Sequence, residues 1–483
     1  MIRRWQFILF ASLSLGASSS LCAQAPPPAA PQVGSAAMGP VSGAPGSAQN
    51  NYSGSVPGKL VSGVLPVSLS EAIDRGLKQN LGLLLASEDV KYARGSRWKE
   101  LSALLPNVSA TPYVNVSQID LAEYGFHFAG VPSVIGPFSY FDARANFSQS
   151  LFDWHSVERW RAANESLKSA QYTAKDARDL VVLAVGYTYL QGIADEARIE
   201  TADAQVKSAQ ALYDQAADQV KAGTSPAIDA LRAQVELKTR QQQLIQARND
   251  FAIQKLTVAR VIGLAPGQEF ELTDKSPYAP FAALSVNEAL QRAYSTRQDF
   301  QAALADVRAA EYSRKAAFAE HYPTLAFGGD YGFAGQHPST NSHGVFDARG
   351  TLTIPIFAGN RTHADVLQAD AQLQQSRDRL ENVRAQIDTD VRTALLNLES
   401  SSEQVTVAQD NIKLADQALT QSRDRFVAGV TDTVEVVQAE EAVASANESY
   451  ISSLYSYNYA KISLARAMGV ADQTVREYFK EGR

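Results

Sequence analysis

Four short segments of the chain alternate apolar and polar residues. They lie at about 107–118, 140–151, 324–334 and 347–357. In the second of them, Phe141, Ala143, Ala145 and Phe147 alternate with Asp142, Arg144, Asn146 and Ser148. This alternation is typical of half-buried β-strands. Each segment has about 10 residues, the length that a tilted strand needs to cross a bilayer.

Two much longer segments carry apolar residues at alternating spacings of three and four. The first row is Ile199, Ala202, Val206, Ala209, Tyr213, Ala216 and Val220. The second row is Val405, Ala408, Ile412, Ala415, Leu419, Ser422 and Phe426. Such rows predict helices that supercoil against partner helices. Because no proline interrupts residues 156–222 or 360–428, each helix would reach roughly 100 Å.

The chain contains two copies of one pattern, which we predict to span 67–283 and 284–472. The sequence Phe-Asp-Ala-Arg occurs at Phe141–Arg144 and again at Phe346–Arg349. Each copy predicts the same order of elements: a helix, two strands, a very long helix, a turn marked by glycine and a return helix. The first helix of each copy is predicted at about 68–105 and 285–321.

The first copy has a longer connection between its strands, around residues 119–139. This loop is unusually apolar for an exterior loop, with Phe126, Phe128, Val131 and Ile135 among its members. Packing onto neighbouring loops is the expected role of such a surface. Folding over the mouth of a barrel, or binding lipid or a partner, are the alternatives.

The N-terminus predicts an export signal over residues 1–23. Arg3 and Arg4 precede a short apolar run, and Leu21-Cys22-Ala23 is a plausible cleavage site. The apolar run is too short for a membrane anchor, which needs roughly 18 residues or more. Lipid attachment at Cys22, the only cysteine of the chain, is an alternative to its removal.

The segments at the two ends of the mature chain are predicted to lack a packed core. Residues 24–66 are rich in Pro, Ala, Gly and Ser, a composition that predicts a disordered tail. Residues 473–483 are interpreted as a C-terminal tail.

Composition and charge exclude several classes of function. The net charge is -7, with Lys and Arg interleaved with Asp and Glu, so no basic face for nucleic acid is predicted. No phosphate-binding loop, nucleophile elbow or His-Glu-x-x-His motif occurs, so no catalytic residue, metal or cofactor is predicted. His337 and His343 lie in a predicted outer loop, where a metal site is the alternative to having no role.

The strands set the most important constraint on function. No segment after residue 23 is long and apolar enough for a transmembrane helix, so a membrane could be crossed only by strands. Four strands cannot close a membrane barrel, and an open sheet edge in lipid is very costly. Other copies must therefore supply the missing strands. Three copies would give twelve, although symmetry alone does not fix the number.

At this point the chain resembles the TolC-like outer-membrane efflux proteins, also called outer-membrane factors. The resemblance covers about residues 65–470 and lies in the duplicated order of elements and in paired motifs. These motifs are the turns Val220–Asp229 and Phe426–Glu435 and the strand-to-helix junctions Ser148–Asp153 and Thr353–Ala358. The fold it implies is mainly α: a trimer with a 12-stranded β-barrel in the outer membrane and a periplasmic α-helical, coiled-coil barrel.

The resemblance also implies a function and partners. Such a homotrimer is the passive exit duct of a tripartite efflux or type I secretion system. A periplasmic adaptor, or membrane fusion protein, links it to an inner-membrane transporter. The transported substrate and the class of pump are not evident from the sequence. The alternative is a periplasmic or surface coiled-coil protein with a structural or adhesive role and no pore, which leaves the duplicated strands unexplained.

In the family, the tips of the helical hairpins close the tunnel at rest and dock the adaptor. The positions that match are Gly223, Thr224, Ser225, Gly429, Val430 and Thr431. Glycine permits the left-handed backbone that such a turn needs. An ordinary helix C-cap is the alternative interpretation of both glycines.

Acidic side chains narrow the pore of the family just after the second tip. Glu435 matches the first such position, whereas Gln438 stands where a second acid is usual. Asp432, with Glu440 and Glu441, could compensate. Asp229 matches an acid that helps to lock the closed state, but Thr431 stands in place of its basic partner. A solvated helix face is the alternative role for these acids.

Overall fold

A computed structural model describes residues 52–274, 278, 280–281, 284–337 and 341–478. The predicted export signal, the first part of the predicted N-terminal tail and the last five residues lie outside the described residues. The elements of the first copy are β1 Leu65–Val67, α1 Leu69–Gln79, α2 Leu81–Ser102, β2 Asn107–Asp120, β3 Val134–Phe152, α3 Trp154–Lys221, α4 Ala227–Val261 and β4 Phe270–Leu272. Those of the second are α5 Val286–Thr296, α6 Gln298–Ala319, β5 Thr324–Gly335, β6 Ser342–Thr353, α7 Arg361–Val427, α8 Thr433–Ala467 and α9 Ala471–Tyr478.

The predicted order of elements is confirmed, but the first helix of each copy is broken into two. Asn80 separates α1 from α2, and Arg297 separates α5 from α6; both have extended backbones. The Asn80 side chain accepts hydrogen bonds from the backbone N–H groups of Gly82 and Leu83, as a helix N-cap does. The single helices predicted at 68–105 and 285–321 are therefore wrong at these two positions.

The four long strands form one antiparallel sheet in the order β2-β3-β5-β6. Its register places Phe147 opposite Gly329 and Tyr331 opposite Phe346, so one face is rich in apolar side chains. The other face carries Asp142, Arg144 and Asp330. Arg144 Nη1 lies 3.0 Å from Asp330 Oδ1. A sheet with one apolar and one charged face separates two different environments.

The first hairpin of the sheet is longer than the second. Strand β5 ends at Gly335, opposite Phe141, while β3 continues to pair with β2 as far as Val134 opposite Asp120. Both ends of the predicted loop at 119–139 are therefore strand, and residues 121–133 connect them. We call this extension, residues 115–140, the outer arm.

The apolar rows predicted on the long helices α3 and α7 are buried or partly buried where these helices pack. Ala202, Ala209 and Ala216 of α3 are buried, as are Val405, Ala408 and Ala415 of α7. Small side chains at these positions let the helices approach closely. Larger residues fill the core around the middle of α3, where Tyr189, Tyr457 and Ile462 are almost completely buried.

The structure differs from the predicted tail over residues 52–66. Asn80 Nδ2 donates a hydrogen bond to the Tyr52 carbonyl. The backbone N–H groups of Val56 and Gly58 donate to the backbone carbonyls of Gln79 and Gly263. Strand β1 then pairs in parallel with β4. Backbone hydrogen bonds to the core offset the low apolar content of this segment. The predicted C-terminal tail likewise begins inside α9.

None of the helices in the described part of the chain is both long enough and apolar enough to cross a membrane.

A cluster of charged side chains lies where the broken helices meet α3 and α8. Asp176 of α3 is 2.8 Å from Arg466 of α8, and Arg297 bridges Asp299 and Asp390 at 2.6 and 2.8 Å. Burial raises the pKa of Asp176 to about 6, although Arg466 opposes the shift. Burial also raises the pKa of Asp179 nearby.

Asp176 gives the fold a specific dependence on pH. Its pKa is raised from 3.8 to about 6, so its contribution to stability is present below pH 4 and lost as the pH rises through 6. Besides Arg466, the charged groups around it are Asp179 of α3 and Arg297 and Asp299 at the second helix break. We therefore compare the free energy of unfolding of wild type with that of Asp176→Asn. When the pH is lowered from 8 to 4, wild type is expected to become more stable relative to the variant by about 2–3 kcal/mol. Thermal unfolding followed by circular dichroism measures this difference, and a pH-independent difference would contradict it.

Candidate functional site at the hairpin tips

Each long helix ends in the same glycine-dependent turn. Gly223 has a φ of +74° and Gly429 a φ of +70°. The next residue closes each turn through its N–H: Thr224 donates to the Gln219 carbonyl at 2.9 Å, and Val430 to the Arg425 carbonyl at 3.0 Å. This hydrogen-bond pattern satisfies carbonyls that a helix end leaves open. The glycines therefore serve as C-caps, whatever else the tips do.

The tips also present accessible surface. Apart from the adjacent residues, no atom of the described part of the chain lies within 4 Å of the position that a Cβ would take at Gly223 or Gly429. Val430 is exposed. At the first tip the Ser225 hydroxyl donates to Gln219 Oε1 at 3.0 Å. Both turns thus combine a rigid backbone with open approach, which suits a surface that another protein contacts.

The acids at the tips have different roles. Asp432 is the N-cap of α8 and accepts a hydrogen bond from the Val434 N–H at 3.1 Å. Asp229 is buried in the first turn of α4, with Arg232 Nη1 3.6 Å from its carboxylate. Gln438 is exposed on α8. The structure therefore gives Asp432 and Asp229 structural duties at helix starts, where the helix dipole favours a negative charge.

Glu435 is the acid that the turn itself holds. The Thr431 hydroxyl donates to Glu435 Oε2, and Arg425 Nε lies 3.6 Å from Glu435 Oε1. Thr431, which the resemblance puts in place of a basic partner of Asp229, thus contacts Glu435. Arg425 supplies the positive charge from the end of α7. Sequence reasoning missed Arg425, because its partner lies on the far side of the turn.

Polar contacts between α3 and α8 join the two hairpins at positions further from the tips than Glu435. We call this set of contacts the α3/α8 seam. Glu440 of α8 accepts from the Ser208 hydroxyl of α3 at 2.7 Å and pairs with Arg423 of α7 at 2.9 Å. Further along, Arg198 of α3 pairs with Glu448 of α8 at 2.7 Å. Near the tips, the seam is thus a polar link between the hairpin α3/α4 and the hairpin α7/α8.

The seam changes the interpretation of Glu440. Its side chain is buried and ion-paired, so within one chain it is not a free acid that could compensate for Gln438. One signal could have shown this: Glu440 follows the buried Val436 by four residues, so both lie on one helix face. Arg198, Ser208 and Arg423 left no comparable signal.

Across the described ranges, no group of three or more His, Cys, Asp or Glu side chains could hold a metal ion. His337 Nδ1 lies 3.4 Å from the Ser139 hydroxyl at the base of the outer arm.

The comparisons with known proteins agree with this geometry. Residues 72–264 and 289–470 match the family model described as outer membrane efflux protein. Over 428 residues the chain is 21% identical to the outer membrane protein TolC of Vibrio cholerae, covering 86% of this chain and 94% of TolC. It is 26% identical over 344 residues to the alkaline protease secretion protein AprF of Pseudomonas aeruginosa, covering 68% of this chain and 69% of AprF.

The fold is shared with solved structures. The crystal structure of the Campylobacter jejuni CmeC outer membrane channel superposes with a TM-score of 0.74 at 17% identity, covering 86% of this chain and 88% of that chain. At this identity the likeness is one of fold. The family model, in contrast, matches most of both copies of the repeat and well over half of the chain. This protein therefore belongs to the outer membrane efflux protein family.

Proposed function

We propose that the chain is one subunit of a trimeric outer-membrane channel, the passive exit duct of an efflux or secretion system. The observation that carries this proposal is the duplicated pairing of two strands with a helix of 67 or 68 residues. The strands end where the long helices begin, so a membrane segment and a periplasmic segment follow one another in each copy. A coiled-coil structural protein would leave the four-stranded sheet without a role.

The sheet supports assembly from several copies. Within the described four-stranded sheet, β2 and β6 each have one neighbouring strand, so the sheet of one chain has two free edges. Backbone groups at a free edge in lipid find no hydrogen-bond partner, at a cost of several kcal/mol each. Pairing of β6 with β2 of the next copy removes this cost. Three copies bring twelve strands, an even number within the range of membrane barrels.

The open turns at the tips support docking of a periplasmic adaptor. We assign this role to Gly223, Thr224 and Ser225 at the first tip and to Gly429, Val430 and Thr431 at the second. The adaptor would connect the duct to an inner-membrane transporter, which supplies the energy. The AprF relative is named for secretion of a protease; for this chain we propose the class of system and leave the cargo open.

The proposed function also assigns the ends of the chain. Residues 1–23 would be removed as an export signal, and the two channel repeats would occupy 67–283 and 284–472. No step of a passive duct requires a catalytic residue, a cofactor or a nucleic acid. The mass of the mature N-terminus would distinguish removal of Cys22 from its lipidation.

Reconstitution tests the proposal directly. The purified full chain, in detergent and then in planar lipid bilayers, is expected to behave as a trimer and to conduct ions. Outer-membrane fractionation with carbonate extraction should leave it in the membrane. A water-soluble monomer whose four strands need no partner would overturn the proposal.

Glu435 gives the proposed channel a charge preference. Three copies of this acid would form a ring near the tips, and such rings favour cations. Because Arg425 and Thr431 contact Glu435, we expect a moderate preference, and Glu435→Gln should reduce the cation-to-anion permeability ratio by roughly twofold to fivefold.

Reversal potentials in a salt gradient measure this ratio. The matched control is Glu441→Gln, an exposed acid on the same helix. Equal effects of both substitutions would place the selectivity elsewhere. The variant Gln438→Glu should shift the ratio in the opposite direction, because it adds a second acid one turn further along α8.

A further inference from the structure

The outer arm stands clear of the rest of the sheet. Beyond Phe141, strand β3 has no partner on its β5 side within the described residues, and the arm is a two-stranded ribbon. The Ser139 hydroxyl donates to the Gln336 carbonyl at 2.9 Å, which fixes the base of the arm against the shorter hairpin. Seven residues of β3, from Val134 to Tyr140, therefore extend past the second hairpin.

The face of the arm changes chemistry where the sheet narrows. In the four-stranded part, one face carries Asp142 and Arg144. The same face continues along the arm through the pairs Ser117 with Phe138 and Ile119 with Ile135. It is therefore charged beside β5, whereas in the arm it carries no charged residue among these pairs and presents Phe138, Ile119 and Ile135 beside Ser117. A face that simply continued a water-filled lumen would have no reason to become apolar.

A bulge in the ribbon contributes to this change. The register shifts between Ser117 and Ile119, so that β3 has one extra residue. Without the shift, Ile119 would lie opposite Gly136. With it, Ile119 lies opposite Ile135, and both side chains are on the face that carries Phe138. Bulges commonly re-aim side chains in this way.

The turn at the end of the arm is also apolar. The rings of Phe126 and Phe128 stack with their centroids 6.0 Å apart, and both are exposed in the single chain. Residues 119–139 contain no lysine or arginine. This composition is unsuited to contact with the anionic surface outside the membrane.

The arm is long enough to reach the axis of the proposed channel. Twelve strands about 4.8 Å apart and tilted by about 40° enclose a barrel of roughly 12 Å radius. Seven strand residues span roughly 23 Å. Arms that lean inward from three subunits would therefore meet over the mouth. Each arm is also continuous with β2, the sheet edge that another copy must complete.

We propose that the apolar inner faces of the outer arms from three copies of this chain pack on one another across the three-fold axis and narrow the outer mouth. This inference rests on the proposed function, because it needs three subunits around one pore. It adds a second constriction, at the end opposite the hairpin tips. The face of the sheet that would contact lipid is the opposite one, which carries Phe141 and Phe147.

Cysteine cross-linking tests whether the arms meet. Since Cys22 is the only native cysteine, Ile135→Cys introduces a single reactive site in the arm. Oxidation of outer membranes that contain this variant is expected to give disulfide-linked dimers on a denaturing gel. The matched control is Val116→Cys, which lies on the opposite face of the arm and should stay monomeric. The wild-type chain controls for Cys22.

Single-channel conductance tests the consequence. The triple variant Ile119→Ser, Ile135→Ser and Phe138→Ser is expected to raise the conductance of the reconstituted protein by roughly twofold or more, as a wider mouth lowers resistance. Val116→Ser should leave it unchanged. Trimer formation on a non-heated gel shows that the variant has folded.

The outcomes separate the two proposals. A wild type that forms a channel, an Ile135→Cys variant that gives no cross-linked dimers and a triple variant with wild-type conductance would together overturn the arm proposal and leave the duct intact. A wild-type protein that forms neither trimers nor pores would overturn the proposed function and the arm proposal with it.

Discussion

Replacing Glu440 with alanine is expected to raise the ratio of open to closed channels by roughly 5- to 150-fold, which corresponds to about 1–3 kcal/mol. In the proposed channel the hairpin tips close the tunnel, so opening would require one hairpin to move against the other, and the α3/α8 seam is a polar contact between them near the tips. Glu440 is nearly buried and binds both Ser208 and Arg423. The effect should fall short of the top of this range, because the Arg423 side chain is 43% exposed and becomes hydrated when Glu440 is removed.

Single-channel recordings of the reconstituted protein measure this ratio. Glu441→Ala is the matched control, since it removes the same charge from an exposed neighbouring position. Arg198→Ala should act in the same direction as Glu440→Ala, because it removes another polar link between α3 and α8, the ion pair with Glu448. An unchanged open probability in both seam variants would show that the seam does not hold the hairpins together.

Arg297→Ala is expected to lower the free energy of unfolding by about 2–4 kcal/mol. Breaking a buried ion pair from one side costs about 3–5 kcal/mol, because the remaining charge is left without a partner. The cost is smaller here, since Asp299 and Asp390 are 26% and 33% exposed. Burial opposes ionisation of Asp299, yet Arg297 holds its pKa below the usual value. The loss should therefore be present at neutral pH and diminish in acid, where the carboxylates become protonated.

Thermal or denaturant unfolding of the purified trimer measures this loss. Arg292→Ala removes an equal charge from an exposed position one turn before the break, so it serves as the control. A stability of Arg297→Ala within about 0.5 kcal/mol of the control would contradict the assigned role, since surface substitutions fall in that range. Arg297→Lys should recover only part of the loss, because an ammonium group cannot bridge two carboxylates in the same planar geometry.

Most of the fold could be predicted from the sequence, because its signals are long and duplicated. A 67- or 68-residue helix contains many heptad positions, so isolated exceptions do not hide the pattern. The strands are short, but the alternation in one copy supports that in the other. Their ends were less predictable, as the extension of β3 to Val134 shows, because pairing across the ribbon decides where a strand stops.

The helix breaks and the α3/α8 seam could not be predicted in the same way. Asn80 and Arg297 stand in sequences that suit helices on both sides, and only the tertiary partners of each residue show why the backbone becomes extended there. In the seam, Ser208 and Glu440 are 232 positions apart in the chain. The tip glycines were predictable, because their effect on the backbone is local.

The free edges of the sheet have a consequence for the newly exported chain. β2 and β6 have 14 and 12 residues, and until subunits meet, the outer edge of each strand offers unpaired backbone groups to any passing strand. The same hydrogen bonds that would seal the wall of the channel could join immature chains into aggregates. The yield of assembled protein would therefore depend on how quickly each edge meets the matching edge of another copy.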